Sequence, residues 1–326
     1  MEKLSVLIMM ASYNGEKYIY QQIESILRQT YKNFLLIIQD DNSTDNTVDI
    51  IKSFIALDSR VVLWHNNGKH GAYENFHSLI NKCKKMNSFD YYMFSDHDDI
   101  WNENKIEVLV KELEKIDISG LPLMAYADMC IIDENNNITQ NSVNAIFNLE
   151  YKNKWSTLYN HVIYGCNAIM NKKLFELVPC VDINEEICHI LCHDNYYGKF
   201  AAFFGNLIYI NKSLMKYRRY SSNVTAGHDY SYGLKKIIMR VKSLDSLAET
   251  HARTYSQSLY TIKKIKQKNL NGEDYKLLEQ LENSIKKGGI LALFFAVKFR
   301  ISCGILSRTI SRYFILFSKL YIKYII

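Results

Sequence analysis

The sequence has few chain breakers, and it lacks a long uncharged run. Only two prolines and 13 glycines occur in 326 residues, which excludes proline-rich linkers and predicts long regular elements. The apolar run at residues 4–11 is too short for the core of a signal peptide. The C-terminal region lacks the uncharged run of about 18 residues that a transmembrane helix needs, so such a helix is not expected. Because 48% of residues are hydrophobic, a large core divided over about two domains is expected.

Cysteine is not arranged for disulfides or for a zinc finger. The seven cysteines are odd in number and scattered along the chain, which favours a reducing, cytoplasmic compartment. Cys188 and Cys192 lie beside His189 and His193, but no second ligand pair at zinc-finger spacing accompanies them. A zinc site is therefore not expected.

Acidic charge is scarce in the C-terminal third. Residues 1–230 contain 22 Lys and Arg against 28 Asp and Glu, whereas residues 231–326 contain 18 against 6, so the net charges are −6 and +12. A basic tail is typical of nucleic-acid binding, of contact with an anionic membrane or of a solvated helix face. The aromatics of this tail lie among Ile, Leu and Val, and no nucleic-acid motif occurs, so no nucleic-acid partner is expected.

Strand-like apolar runs alternate with helical patterns in the first half of the chain. Predicted strands cover residues 4–12, 34–39, 61–66, 91–95 and 124–132, and predicted helices cover 16–28, 44–57, 73–84 and 102–116. This repetition predicts an α/β fold with a mainly parallel sheet flanked by helices. Further along, the pattern predicts a helix-like run at 196–204, a short strand at 207–210, a polar loop at 217–227 and helices from about 233.

The most polar strand ends carry the candidate chemistry. Ligands of such sheets bind beyond the carboxyl ends of the strands, and residues 12–15, 40–43 and 96–99 are polar there. Neither a G-x-G-x-x-G fingerprint nor a Walker A loop is present, which disfavours a dinucleotide-binding enzyme or a nucleotidyltransferase. Asp96 and Asp98 offer hard oxygens for a divalent cation that also binds substrate phosphates. The alternative is a solvated acidic turn or helix cap.

Six motifs follow one another along the chain. They read ASYNGEKY at 11–18, QIESILRQT at 22–30, DDNSTDNT at 40–47, FSDHDDIW at 94–101, HD at 193–194 and YRR at 217–219. This order, over about residues 4–227, resembles the family 2 glycosyltransferases of GT-A fold, and within them the bacterial rhamnosyltransferase-like group. The resemblance implies a Rossmann-like GT-A domain in residues 1–230, followed by a basic helical region in residues 231–326.

The resemblance also implies an activity. The chain would transfer a sugar with inversion from a nucleoside diphosphate, such as dTDP-rhamnose or a UDP-sugar, to a surface polysaccharide or a lipid-linked glycan. Mn²⁺ or Mg²⁺ would assist. The competing hypothesis is a catalytically idle GT-A module that serves as a membrane-associated partner of another transferase.

Donor binding is assigned to residues at the first three polar strand ends. By resemblance, Ala11 and Tyr13 would line the nucleotide base pocket. Asp41, with Asp40 as the runner-up, would accept the imide N–H of a uracil or thymine. One of these two aspartates is expected to serve the turn before the next helix instead. Asp96 would contact the ribose or the cation.

Metal binding and catalysis are assigned further along the chain. By resemblance, Asp98 would bind the cation at the diphosphate, and Asp194 would act as the base that deprotonates the acceptor hydroxyl. The alternative for Asp194 is an N-cap. His193 would either orient Asp194 or serve a structural role.

The YRR motif brings two possible diphosphate ligands and one departure from the family. Arg218 and Arg219 would contact the diphosphate as forked donors or cap an acidic surface. The family commonly has a histidine at the next position, where this chain has Tyr220. Metal binding would then rest on Asp98 with phosphate oxygens and water, or be weaker, and His228 is a conceivable substitute.

Residues 289–326 have the pattern of an amphipathic helix. On one continuous helix, the charges at 298, 308, 312, 319 and 323 fall within an arc of roughly 80°. A cationic stripe on an apolar helix predicts peripheral attachment to the anionic inner face of the cytoplasmic membrane. The alternative is a helix that packs on the catalytic domain or on a second copy in a homodimer.

Overall fold

A nine-stranded mixed sheet with helices on both sides forms the core of the protein. The computed structural model describes residues 4–86, 88–116, 120–161, 163–220, 244–302 and 306–326. The strands are β1 Val6–Ser12, β2 Phe34–Asp40, β3 Val61–His65, β4 Tyr91–Ser95, β5 Ile100–Trp101, β6 Leu123–Ile132, β7 Ile138–Gln140, β8 Ala168–Asn171 and β9 Asn206–Arg218. The helices around this sheet are α1 Ile19–Leu27, α2 Thr47–Leu57, α3 Ala72–Cys83, α4 Lys105–Glu114, α5 Asn144–Phe147, α6 Lys154–Thr157, α7 Lys172–Leu177 and α8 His193–Phe204.

The strand order is β3-β2-β1-β4-β8-β6-β9-β5, with β7 paired to β6. The first four strands are parallel, and only β5, β7 and β8 run against their neighbours. Among the described strands the sheet is therefore mainly parallel, as the sequence predicts. In the register of β1 and β2, Ser12 lies opposite Asp40, so the polar ends of these strands meet at one edge.

Continuous apolar runs explain why the central strands are buried on both faces. Every residue of β1 and of β4 is buried, as is typical of parallel strands covered by helices on both sides. In α1, the buried residues Ile19, Ile23 and Ile26 recur at helical spacing and turn one face to the sheet. The nine elements predicted from residue 4 to residue 132 all occur, and most of their ends shift by one to three residues.

The predicted strand at 207–210 is much longer in the structure. β9 continues to Arg218 and pairs with β6 in parallel and with β5 antiparallel. Tyr217 and Arg218 therefore belong to a central strand, and the prediction of a loop from 217 was wrong for these two residues. Charged residues interrupt the apolar pattern of β9, so the sequence did not indicate the full length of this strand. The register of β9 with β6 also shifts at two irregular positions, so strict alternation is not kept along it.

The C-terminal region is helical, but its last part is not one continuous helix. The helices are Leu244–Lys266, Gly272–Lys287, Ile290–Lys298 and Leu306–Ser318, followed by a 3₁₀ turn at Ile322–Tyr324. Arg300 and Lys319 have positive φ angles of 52° and 64°, and at these positions the chain leaves the helical conformation.

The predicted cationic stripe is wrong for this reason. Lys298, Arg308 and Lys319 lie on separate segments, and Arg312 is 8% exposed and donates a hydrogen bond to Asn160. Lys323 pairs with Asp245 at 2.8 Å. Burial of apolar surface between these short helices and the rest of the chain outweighs the alignment of charges along one face.

The C-terminal helices pack on the α/β body. Lys154 forms an ion pair with Asp274 at 2.6 Å, and the Trp155 ring stacks on Phe299 with centroids 5.0 Å apart. The domain boundary predicted at residue 230 lies outside the described residues. Across the described ranges, no helix combines the length and the hydropathy that crossing a membrane requires.

Candidate active site

A cleft of about 1030 Å³ opens at the carboxyl ends of the central strands. Six residues that the sequence analysis assigned to the site line this cleft, namely Ala11, Tyr13, Asp41, Asp96, Asp98 and Asp194. Asp40, Arg218 and Arg219 are not among the described residues that line it. The volume is in the range of pockets that hold small molecules or cofactors.

Side-chain hydrogen bonds hold together the loops after β1 and β2. The Asn14 backbone N–H donates to Ser43 Oγ at 2.9 Å, and Asn14 Oδ1 accepts from the Thr44 N–H at 2.8 Å. Asn14 has a φ of 45°, a conformation that asparagine tolerates better than most residues. The neighbouring Tyr13 side chain is 51% exposed and presents its ring to the cleft.

The two aspartates after β2 have different environments. Asp40 accepts from the Ser43 N–H at 2.8 Å and from the Ser12 hydroxyl at 3.2 Å. These hydrogen bonds stabilise the turn after β2. Asp41 lines the cleft and accepts from Asn66 Nδ2 at 2.6 Å and from the Gly71 N–H at 2.9 Å. These donors fix the orientation of the Asp41 carboxylate, so of the two aspartates Asp41 is the better placed to accept a hydrogen bond from a nucleotide base.

The acidic turn after β4 brings three carboxyl groups close together. Asp96 and Asp98 line the cleft, whereas Asp99 is fully buried. Desolvation and the Asp98 charge raise the pKa of Asp96, and desolvation with the charges of Asp98 and Asp96 raises the pKa of Asp99. Asp96 and Asp99 thus resist ionisation, a situation that a bound cation relieves.

The described residues offer one group of three His, Cys, Asp or Glu ligand atoms close enough to share an ion. It consists of Asp96, Asp99 and Cys166, whose ligand atoms lie within 4.8 Å of one another. Burial raises the pKa of the Cys166 thiol well above its usual value, so this sulfur stays protonated and suits a hard cation poorly. The carboxylate oxygens that face the cleft, on Asp96 and Asp98, fit Mg²⁺ or Mn²⁺ better.

Tyr220 contacts this acidic turn directly. Its hydroxyl donates to Asp98 Oδ2 at 2.8 Å, and its ring packs against Tyr18 with centroids 5.0 Å apart. The position where the family commonly has histidine is thus adjacent to the candidate metal ligand. His228 lies outside the described residues.

Arg218 is buried and donates hydrogen bonds to the acidic turn. It is 1% exposed, its Nε donates to the Asp98 carbonyl oxygen at 2.7 Å, and its backbone N–H donates to Asp99 Oδ1 at 3.0 Å. The rest of the guanidinium donates to Asn136 Oδ1 at 2.7 Å and to Gln21 Oε1 at 3.0 Å. These are the contacts of a residue that positions the turn, rather than those of a ligand for a diphosphate.

Asp194 lies in the first turn of α8 and lines the same cleft as Asp96 and Asp98. The N-cap of α8 is Cys192, without a side-chain cap, so the N-cap alternative for Asp194 does not describe its place in this helix. Oδ1 accepts from the Asn195 N–H at 2.6 Å and from Asn195 Nδ2 at 2.9 Å, and Oδ2 accepts from the Gly165 N–H at 2.9 Å. A carboxylate has about four lone-pair sites, so these three donors fix its orientation and leave room for an acceptor proton. Desolvation raises the pKa of Asp194.

His193 is held by aromatic packing. It stacks on Phe76 with centroids 4.0 Å apart and meets the edge of Phe94 at 4.5 Å. Burial lowers the pKa of His193 to about 3, so its imidazole is neutral at physiological pH. These contacts favour the structural role of His193 over the orienting role.

Sequence reasoning missed Gly165, whose backbone N–H donates to Asp194 Oδ2. A Cβ on Gly165 would lie 2.9 Å from Asp194 Cβ and 2.9 Å from His193 Nε2, so only glycine fits without a shift of these groups. The GCN turn at 165–167 is visible in the sequence, but nothing there connects it to Asp194. Aromatic cleft residues missed in the same way are Tyr73, Phe76 and Tyr164.

Comparison with known proteins defines the class. Residues 7–178, more than half of the chain, match the family described as Glycosyl transferase family 2. The chain therefore belongs to glycosyl transferase family 2 and is a glycosyltransferase, which confirms the family resemblance of its motifs.

Individual relatives share different portions of the chain. Over 228 residues it is 31% identical to the dTDP-rhamnosyl transferase RfbG of Shigella flexneri, covering 66% of this chain and 72% of that protein. Over 135 residues it is 37% identical to the UDP-Glc:alpha-D-GlcNAc-diphosphoundecaprenol beta-1,3-glucosyltransferase WfgD of Escherichia coli, covering 41% of this chain and 49% of that protein. The chain thus aligns with about half the length of WfgD.

A solved structure shares the fold. TarS 1-349 from S. aureus, in complex with UDP-GlcNAc, superposes with a TM-score of 0.55 over 98% of this chain and 89% of that chain, at 13% identity. The predicted GT-A architecture is confirmed.

Proposed function

We propose that this glycosyltransferase moves a sugar with inversion from a nucleoside diphosphate to a glycan hydroxyl, with Asp194 as the base. The observation that carries the proposal is the fixed carboxylate of Asp194 in the same cleft as Asp96 and Asp98. A base on the acceptor side and charge neutralisation on the leaving-group side are what such a displacement needs.

The reaction step follows from this arrangement. The acceptor oxygen attacks the anomeric carbon and transfers its proton to Asp194, while the bond from that carbon to the diphosphate oxygen breaks and its electron pair leaves with the nucleoside diphosphate. Gly165 and Asn195 hold the base in place through their hydrogen bonds. A divalent cation, which family 2 enzymes typically use, would be held by Asp98 and Asp96 and would stabilise charge on the diphosphate.

The remaining donor contacts are assigned on the same grounds. Tyr13 would stack on the base beside Ala11, and Asp41 would accept the imide N–H that uracil and thymine share. Arg218 would position the acidic turn, and Arg219 keeps the role of a possible diphosphate ligand. A dTDP or UDP donor agrees with the names of the two relatives described above.

We further propose a lipid-linked or polysaccharide acceptor and a place of action on the inner face of the cytoplasmic membrane. WfgD is named for a diphosphoundecaprenol acceptor, which motivates the acceptor class.

A donor screen tests the proposed function. The purified full chain is incubated with dTDP-rhamnose and with UDP-sugars, in Mn²⁺, in Mg²⁺ and in EDTA, and donor hydrolysis and nucleotide binding are measured. Metal-dependent cleavage of at least one donor supports the proposal. An idle module, for which the Tyr220 replacement is the only argument, would neither bind nor cleave any donor.

A further inference from the structure

Exposed apolar side chains are concentrated on the last two helices. Nearly half of the exposed large hydrophobic residues in the described ranges lie on the short helices Ile290–Lys298 and Leu306–Ser318. We name this set the C-terminal apolar face, and its members are Ile290, Leu291, Phe294, Val297, Leu306, Ile310, Phe314 and Phe317. Such a concentration marks an interaction surface, whereas scattered exposed side chains do not.

Both helices turn this face away from the rest of the protein. Ala292, Phe295 and Ala296 of the first helix are buried, as are Ile315 and Leu316 of the second. The exposed residues of each helix lie on its opposite side, within an arc of about 120° or less at about 100° per residue. Both helices are therefore apolar on the side that packs inward and apolar again on the side that faces outward.

The two helices are packed against each other. The Tyr313 hydroxyl donates to the carbonyl oxygens of Ile301 and Ala296 at 3.1 and 3.5 Å. With 9 and 13 residues, the helices are roughly 14 and 20 Å long, shorter than the roughly 30 Å core of a bilayer. They fit a position in the plane of a membrane surface rather than across it.

Charge selects the partner. Residues 283–326 contain eight Lys and Arg and no Asp or Glu, and exposed Lys298, Arg300 and Lys319 lie at the ends of the two helices. A second copy of this face would bring like charges together in a symmetric dimer. An anionic bilayer instead offers an apolar layer for the phenylalanines and negative headgroups for the cations.

We propose that the C-terminal apolar face is a docking surface for an anionic lipid bilayer, into whose headgroup boundary Phe294, Phe314 and Phe317 insert. The proposal rests on the membrane location stated under the proposed function and deepens it. It replaces the continuous cationic helix expected from the sequence with two short helices that hold their apolar sides outward, the cations lying at their ends.

Sedimentation with vesicles tests the docking surface. The full chain is mixed, without donor, with vesicles of phosphatidylglycerol and phosphatidylcholine or of phosphatidylcholine alone. Binding should require phosphatidylglycerol for full strength and should weaken in high salt, because salt screens the cationic contribution. The combined variant Phe294→Gln, Phe314→Gln and Phe317→Gln should bind at least about tenfold more weakly, since each ring loses apolar burial.

A matched control distinguishes position from general hydrophobicity. Leu57 and Ile138 are 84% and 56% exposed on the α/β body, and Leu57→Gln with Ile138→Gln should leave vesicle binding unchanged. Wild-type binding by the triple phenylalanine variant would overturn the proposal. A wild-type dimer that the triple variant dissociates, with no vesicle binding by either protein, would also overturn it and would identify a protein contact.

Donor hydrolysis without vesicles separates this proposal from the proposed function. If hydrolysis is retained and no vesicle binding occurs, the docking surface alone is wrong. If vesicle binding occurs and no donor is bound or cleaved, the proposed function alone is wrong.

Discussion

Replacing Gly165 by alanine should misplace the candidate base. The new Cβ would lie 2.9 Å from both Asp194 Cβ and His193 Nε2, whereas carbon atoms in contact prefer about 3.5–4.0 Å. His193 is wedged between Phe76 and Phe94, so the strain falls on the turn at 165 and on Asp194. A misplacement of about 1 Å can cost about a hundredfold in rate.

The assay is the kinetics of sugar transfer or donor hydrolysis, with the melting temperature measured in parallel. We expect turnover of Gly165→Ala to fall by about a hundredfold, with little change in donor KM, because the atoms nearest to the new Cβ belong to Asp194 and His193 and not to the residues assigned to the nucleotide. Gly272→Ala is the matched control, since a Cβ there meets nothing within 4 Å. It should keep full turnover and equal or slightly higher stability.

Two results would refute this reasoning. Wild-type turnover by Gly165→Ala would mean that the turn at 165 does not place Asp194. A large loss of melting temperature together with the loss of turnover would mean that the glycine serves folding rather than the site.

Three further predictions concern the acidic turn and the base. Asp98→Ala should lower turnover at least about a thousandfold, and near wild-type turnover that is insensitive to EDTA would contradict a metal-assisted reaction. Because the acting form of Asp194 is ionised and its pKa is raised from 3.8, transfer should be lost as pH falls through a value above 3.8. In Asn195→Ala, which removes a donor to Oδ1, this acidic limb of the pH profile should move to higher pH; an unmoved limb would contradict the assignment. Tyr220→His should tighten Mn²⁺ binding measured by calorimetry, because a neutral imidazole is a better ligand than a phenol, and Tyr220→Phe, which cannot offer a ligand, should not.

The order of the first elements was readable because β1 and β4 are nearly uninterrupted apolar runs and each following helix has its own periodicity. β1 and β4 are buried throughout, so their hydropathy alone identifies them. The full length of β9 was not predicted, because Lys212, Lys216 and Arg218 interrupt its apolar pattern. Its irregular pairing with β6 also decides where each side chain points.

The site was predictable where it lies at a strand end and hidden where it depends on contacts distant in sequence. Asp41 and Asp96 follow strands directly, Asp98 lies two residues beyond Asp96, and the topology brings those strand ends together. Gly165 lies 29 residues from Asp194, and only the folded chain reveals that the turn at 165 carries the N–H that orients the carboxylate. The sequence likewise suggests that Arg218 binds an anion, and only the structure reveals that this side chain is buried.

The tail shows the limit of a helical wheel. An alignment of charges along residues 289–326 assumes one helix, and the breaks at Arg300 and Lys319 remove that assumption. Tertiary packing decides which side of each short helix is buried. Only the structure therefore separates the apolar residues that pack inward from those that remain exposed.

The central claim is that Asp194 is the base of an inverting transfer, and Asp194→Asn tests it most directly. The amide keeps the shape of the side chain and removes its basicity, so transfer should fall by about a hundredfold or more while nucleotide affinity stays close to wild type. The melting temperature should fall only slightly, because the amide nitrogen can no longer accept from the Gly165 N–H. Asp49→Asn on the exposed face of α2 is the control, and it should leave transfer, nucleotide affinity and melting temperature unchanged. Full transfer activity in Asp194→Asn would contradict the account.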